Sequence, residues 1–159
     1  MPLTFAYGSN MCVADMIARC PSARLVGAAR LPKFRFVLMP SGFATLLRDP
    51  AAMAHGVLWE LTFGDLAALD RYEGVAEGGY EKLVLPVIRA KGGAVRALVY
   101  LGRPDARIGH PPADYMENIA AAAAAHGLPR EQIAYLRLCG GLPPEAPPKF
   151  RAIKNGSIQ

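Results

Sequence analysis

Two short stretches of this chain hold residue types suited to chemistry. At Tyr7-Gly8-Ser9-Asn10-Met11 an apolar run stops, a glycine permits unusual dihedrals, and a helix is expected to begin. Backbone N–H groups at such a junction point outward, and the helix dipole adds partial positive charge. That combination binds carboxylates, phosphates or developing oxyanions. A plainer use of the same residues is helix capping, with Ser9 or Asn10 satisfying free N–H groups and no ligand bound.

Glu73 is the second candidate. It follows Leu69 by four residues and Leu66 by seven, so on a helix its side chain leaves on their apolar face. A carboxylate there is costly unless it is paired or set in a polar cleft. Burial would raise its pKa above the usual ~4.3, toward the range suited to proton transfer near neutral pH. If the helix frays before Gly74, Glu73 is instead solvated or paired with Arg71.

Other candidates carry less. Ser9 as a hydrolase nucleophile would need a base and an acid, and its turn lacks the G-x-S-x-G pattern. Cys12 stands one turn into the expected helix, a position where a thiol can be reactive, but no base adjoins it in sequence. Tyr115 begins a later helix and has two uses, a hydroxyl aimed into a pocket or ordinary packing. Trp59 reads as core. Cys12, Cys20 and Cys139 form no C-x-x-C pair, and His55, His110 and His126 have no partner at ligand spacing, so no metal and no cofactor is expected.

The elements that must position these residues are legible in outline. Residues 3–7 read as a strand and Met11 to Arg19 as a helix stopped by Pro21. Phe34, Phe36 and Leu38 alternate as a strand before the Pro40-Ser41-Gly42 turn. Two short strands are expected at Phe43–Leu47 and Gly56–Leu61. Thr62 and Asp65 suggest a capping box opening a helix that Gly74 closes. Tyr80–Ile88 and Ala94–Leu101 form a hairpin across Lys91-Gly92-Gly93, with Pro86 marking an edge or bulge. Helices follow at Asp114–His126 and Pro129–Cys139. About six strands with dispersed helices imply an α+β fold around a mostly antiparallel, strongly curved sheet. Residues 1–142 read as one domain, and 143–159 as a Pro-rich extended tail.

Bulk properties narrow the function. The 159 residues are 52% hydrophobic and 19% charged, which suits one well-packed domain. No apolar run approaches the ~18 residues of a membrane span. Asp15 and Arg19 interrupt what would be a signal peptide, so the expected location is the cytoplasm, with reduced thiols. The net charge of +5 is spread without a basic stripe, so no nucleic acid is expected as partner. No apolar stripe is left over once core faces are assigned, which favours a monomer.

Taken together, the segments resemble the gamma-glutamylcyclotransferase family, including its AIG2-like members. The resemblance is carried by Phe5-Ala6-Tyr7-Gly8-Ser9-Asn10, Pro21-Ser22-Ala23, Phe43-Ala44-Thr45-Leu46 and His55-Gly56-Val57-Leu58-Trp59. Leu69-Asp70-Arg71-Tyr72-Glu73-Gly74-Val75, Tyr80, Pro112-Ala113-Asp114-Tyr115 and Gly127-Leu128-Pro129 continue it in order. It implies a mixed sheet closing into a small barrel with flanking helices and a pocket at one end. Glu73 would be the acid–base residue. Phe5, Ala6, Tyr7, Gly8, Ser9, Asn10 and Tyr115 would contact a small γ-glutamyl substrate. The reaction implied is attack of that substrate's α-amine on its own γ-carbonyl, releasing 5-oxoproline and a free amine or amino acid. The segment between the Phe34 and Phe43 strands is trimmed relative to animal members and would border the pocket. A non-catalytic domain holding a small anion in the same cradle is the competing reading.

Overall fold

The structure is a computed structural model that describes residues 1–145. Five strands close into a barrel in the order β1-β3-β2-β4-β5. They are β1 (Leu3–Ala6), β2 (Arg24–Leu38), β3 (Ala44–Glu60), β4 (Glu81–Arg89) and β5 (Ala94–Leu101). All neighbours are antiparallel except β1 and β5, whose parallel pairing at Thr4 and Leu98 closes the barrel. Four α-helices flank it: α1 (Val13–Arg19), α2 (Phe63–Tyr72), α3 (Tyr115–Ala125) and α4 (Arg130–Cys139).

The expectation of about six short strands gives way to five, two of them long. The Phe43 and Gly56 segments are the two ends of one strand, β3, and β2 begins ten residues before Phe34. The reason lies in strand parity. Ala29 and Leu31 face the core at odd positions, whereas Phe34, Phe36 and Leu38 do so at even ones. A bulge between Pro32 and Phe34, with Lys33 at φ 67°, inserts the residue that resets the alternation. Residues 49–52 of β3 oppose this bulge at the surface, where Asp49 pairs with Arg35 at 3.2 Å. Pro86 sits where β4 pairs only with β5, since β4 meets β2 only at Arg89 and Ile88. There its missing N–H costs no ladder bond on the open side.

The first helix is also shorter than its pattern. A single 3-10 turn covers Ser9–Met11, and α1 begins only at Val13 after Cys12 turns to an extended conformation. Met11 and Met16 from this segment are fully buried and join Phe5, Leu58 and Trp59 of the barrel and Leu69 of α2 in the core. The α3 and α4 helices pack on one another, α3 also against the Ser9–Met11 turn and α4 against β2, where the Tyr135 hydroxyl donates to the Phe36 carbonyl. Of the expected tail, Pro143 accepts from Arg137 Nε at 2.7 Å, and residues 146–159 lie outside the described residues.

Candidate active site

The end of β1 and the end of α2 meet at one rim of the barrel. Thr62 caps α2, accepting from the Asp65 N–H at 3.0 Å. The reciprocal half of the capping box does not form: Asp65 Oδ2 is buried with no partner among the described residues. A three-part tie fixes the other end of the helix. The Asp70 carboxylate accepts from the Tyr100 hydroxyl and, at 2.7 Å, from Lys82 Nζ. The Tyr100 carbonyl in turn accepts from the Tyr7 hydroxyl. Thus α2 is held to β4, β5 and the end of β1 one turn before Glu73.

Glu73 closes α2, its N–H donating to the Leu69 carbonyl at 2.9 Å. Gly74 then reverses the chain at φ 66°, a conformation glycine takes without cost. The loop folds back so closely that a Cβ on Gly79 would stand 2.7 Å from the Glu73 carbonyl oxygen. That approach lets the Tyr80 N–H donate to the same carbonyl at 3.2 Å and returns the Tyr80 ring to the site.

Glu73 is not paired with Arg71. Its Oε1 accepts from Asn10 Nδ2 at 2.9 Å, and Asn10 Oδ1 accepts from Arg19 Nη1. The Arg19 guanidinium also reaches Ser9 Oγ at 3.3 Å and lies 4.0 Å above the centre of the Tyr72 ring. Burial pushes the Glu73 carboxyl above its ordinary value, while the Asn10 bond and the Arg19 charge pull against that rise.

Neither Ser9 nor Asn10 caps a helix with its side chain. The N–H groups of Gly8, Ser9 and Asn10 donate to no acceptor among the described residues, because a 3-10 turn leaves its first donors open. Gly8 stands at φ −123°, outside the left-handed region, so the turn does not need glycine for a positive φ. The Asn10 carbonyl is fixed by the Trp59 indole N–H at 3.0 Å.

Two neighbouring chambers share Glu73, Ser9, Tyr80 and Tyr115 in their walls. The inner one, about 40 Å³, is walled by Phe5 and Ala6 of β1 and by Tyr7, Gly8 and Asn10 after it. The outer one, about 410 Å³, adds Arg19, Asp15, Cys12, Phe43, Tyr72 and Asn118. The Tyr115 hydroxyl accepts from the Ala44 N–H at 3.0 Å, and the Tyr80 hydroxyl donates to the Ala44 carbonyl at 2.8 Å. Burial raises both hydroxyls above their ordinary values, so both are neutral near pH 7. Phe5, Ala6, Tyr7, Gly8, Ser9, Asn10, Glu73 and Tyr115 all line the inner chamber. Arg19 and Asp15, which in the sequence mark only a charged break in an apolar run, line the outer chamber.

The profile of the AIG2-like family matches residues 54–136. Human gamma-glutamylcyclotransferase is 31% identical over 139 residues, spanning 81% of this chain and 73% of the human protein. The chain belongs to this family. The mouse gamma-glutamylcyclotransferase is 30% identical over the same shares. A solved gamma-glutamyl cyclotransferase structure superposes with a TM-score of 0.77 at 26% identity, covering 99% of this chain and 93% of the other.

Among the described residues neither hydrolase candidate, Ser9 or Cys12, is hydrogen-bonded to a base. Ser9 Oγ accepts from Arg19, and His126, which shares a groove with Cys12, directs Nε2 at the Met11 carbonyl at 2.6 Å. Among the described residues no three His, Cys, Asp or Glu side chains are grouped to hold a metal ion. The short β2–β3 connection does border the site, since Phe43 at its end lines the outer chamber and packs edge-on against Tyr115. The surface also keeps apolar residues that core assignment did not absorb: Val13 and Leu25, both exposed, flank the groove beside α3.

Proposed function

We propose that this protein is a gamma-glutamylcyclotransferase in which Glu73 moves the proton and the Gly8-Ser9-Asn10 turn holds the substrate. The observation that carries this reading is the position of Glu73. It lines both chambers, and the turn whose Gly8, Ser9 and Asn10 N–H groups find no acceptor among the described residues lines the smaller chamber with it.

The chemistry follows from that placement. A γ-glutamyl compound enters with its α-amine protonated, and an ammonium has no lone pair with which to attack. Glu73 accepts that proton. The amine nitrogen then bonds to the γ-carbonyl carbon of the same molecule, closing a five-membered ring. Because both reactants belong to one molecule, no covalent enzyme intermediate is required, and a folded bound shape removes much of the entropic barrier. The open N–H groups of the turn serve either the oxyanion or the substrate's α-carboxylate. Glu73 gives that proton to the departing nitrogen as the carbon–nitrogen bond breaks and takes the second proton from the ring nitrogen, which is cationic after attack. This yields 5-oxoproline and the free amine, and Glu73 resets by passing the second proton to the amine or to water. Every group named comes from one chain, so a monomer suffices, and the dispersed positive charge fits a small anionic substrate better than a polyanion.

The test is a mass-spectrometric screen for 5-oxoproline with γ-glutamyl dipeptides, γ-glutamylamines and glutathione, beside a Glu73→Gln control. Release that disappears in the control supports the reading. Panel compounds that raise the melting temperature yet are recovered unchanged would instead make this a binding domain.

A further inference from the structure

Asn10 lies between a group that only donates and a group that, when ionised, only accepts. Arg19 on one side offers N–H alone, and the Glu73 carboxylate on the other offers oxygen alone. One orientation of the Asn10 amide satisfies both: oxygen toward Arg19, NH2 toward Glu73 Oε1. The reverse orientation would set donor against donor at Arg19 and oxygen against oxygen at Glu73.

Resting on the cyclotransferase reading, we propose that Arg19 and Asn10 are positioning residues for Glu73, the arginine fixing the amide and the amide fixing the carboxylate. The arrangement also chooses between the two carboxylate oxygens. Oε1 is engaged as an acceptor by Asn10 and stays so whether or not Glu73 is protonated. Oε2 has no hydrogen-bond partner among the described residues, so the mobile proton belongs there. Arg19 is itself braced, ending α1 while its guanidinium lies over Tyr72, the residue before Glu73. Guanidinium planarity suits this double duty of stacking and donating.

The charged surroundings of Glu73 are few. Tyr7, Tyr80, Tyr100 and Tyr115 all face it, and burial holds each above its ordinary value, so all are neutral when Glu73 titrates. Arg19 and, farther out, Asp15 are the site's other charges. Arg19 and the Asn10 bond both favour the ionised carboxylate against burial. Losing either must therefore raise the pH at which Glu73 gives up its proton.

The experiment uses full-length protein with ¹³C-labelled glutamate carboxyls, in the wild type, Arg19→Gln, Asn10→Ala and the double variant. The Glu73 resonance is assigned by its loss in Glu73→Gln. Melting temperatures show which variants are folded, and having two single variants guards against one failing. We expect the Glu73 midpoint to rise in each single variant. We also expect kcat for 5-oxoproline release to fall on the order of 10-fold or more, with KM changing less. The double variant should lose no more than the worse single one, as expected of residues acting in series. An unmoved midpoint in folded variants, or losses that add in full, would overturn the proposal. A raised midpoint without turnover of any panel compound would leave the positioning role standing and sink the cyclotransferase reading.

Discussion

The Asn10 side-chain amide meets the Glu73 carboxylate at 2.9 Å, joining the turn after the first strand to the end of α2 across 63 positions of sequence. Neither partner does what its local neighbourhood suggests. A polar residue at a helix start normally caps, and a glutamate beside an arginine normally pairs with it. Here the tertiary contact wins at both ends. The turn is a 3-10 turn with no side-chain cap, and Arg19, not Arg71, supplies the positive charge.

Activity should show an acid limb governed by Glu73. The free carboxylate is the form that accepts the ammonium proton, and burial moves its pKa upward from the ordinary 4.5. As pH falls through the raised value, kcat/KM should therefore decline, with a midpoint above 4.5. Glu73→Gln should remove the limb and lower kcat on the order of 10²- to 10⁴-fold, the usual weight of a general acid–base. A pH–rate profile checks both, and a limb centred at or below 4.5 would place the titration elsewhere.

Gly8→Ala should separate folding from function. The added methyl would meet Ala44 Cβ at 3.6 Å and the Tyr115 hydroxyl at 4.0 Å, both ordinary contacts. It would, however, project toward an inner chamber of only about 40 Å³. We expect retained folding by circular dichroism and a loss of kcat/KM on the order of 10-fold or more, since small misplacements at a reacting centre are costly. Unchanged kinetics would move the reacting atoms out of the inner chamber.

How much of this was legible in the sequence depends on the range of the interaction. Glu73 could be placed from its spacing to Leu66 and Leu69 and from the glycine after it, because helical periodicity is local. The turn at Tyr7-Gly8-Ser9-Asn10 was legible as a junction for the same reason. Arg19 was not, because reading Met11–Arg19 as one helix hides the extended residue at Cys12 that redirects α1. Nor was the length of β2, since the Pro32–Phe34 bulge changes the parity of its buried residues. The tie from Asp70 through Tyr100 to Tyr7 links three elements, and no pattern within one of them announces it.

That tie makes Asp70→Asn a test of how Glu73 is placed. Asparagine keeps the shape but loses the charge that draws Lys82 and the Tyr100 hydroxyl. With both ionic partners partly solvated, the expected loss is modest, about 1 kcal/mol. Turnover should fall as well, because the last turn of α2 carries Glu73. Denaturant unfolding measures the first effect and kcat the second. Lost stability with full activity would mean that α2 is positioned by its core leucines alone.

The same raised pKa that suits Glu73 to proton transfer carries a stability cost with a definite pH dependence. In the unfolded chain the carboxyl titrates near 4.5, and in the folded protein it titrates higher. Below 4.5 both states are protonated and the group is neutral to folding. As pH rises from there through the folded value, the unfolded chain releases its proton first, so the folded state loses ground, and the loss is complete above the folded pKa. Glu73→Gln cannot ionise, yet its side-chain oxygen can still accept from Asn10. The variant should therefore melt higher than the wild type at pH 7, with the gap closing as pH falls toward 4.5. Melting curves of the two proteins across that range decide it. A gap of constant size would mean that the carboxylate is no more costly folded than unfolded, and that its Asn10 and Arg19 contacts fully offset burial.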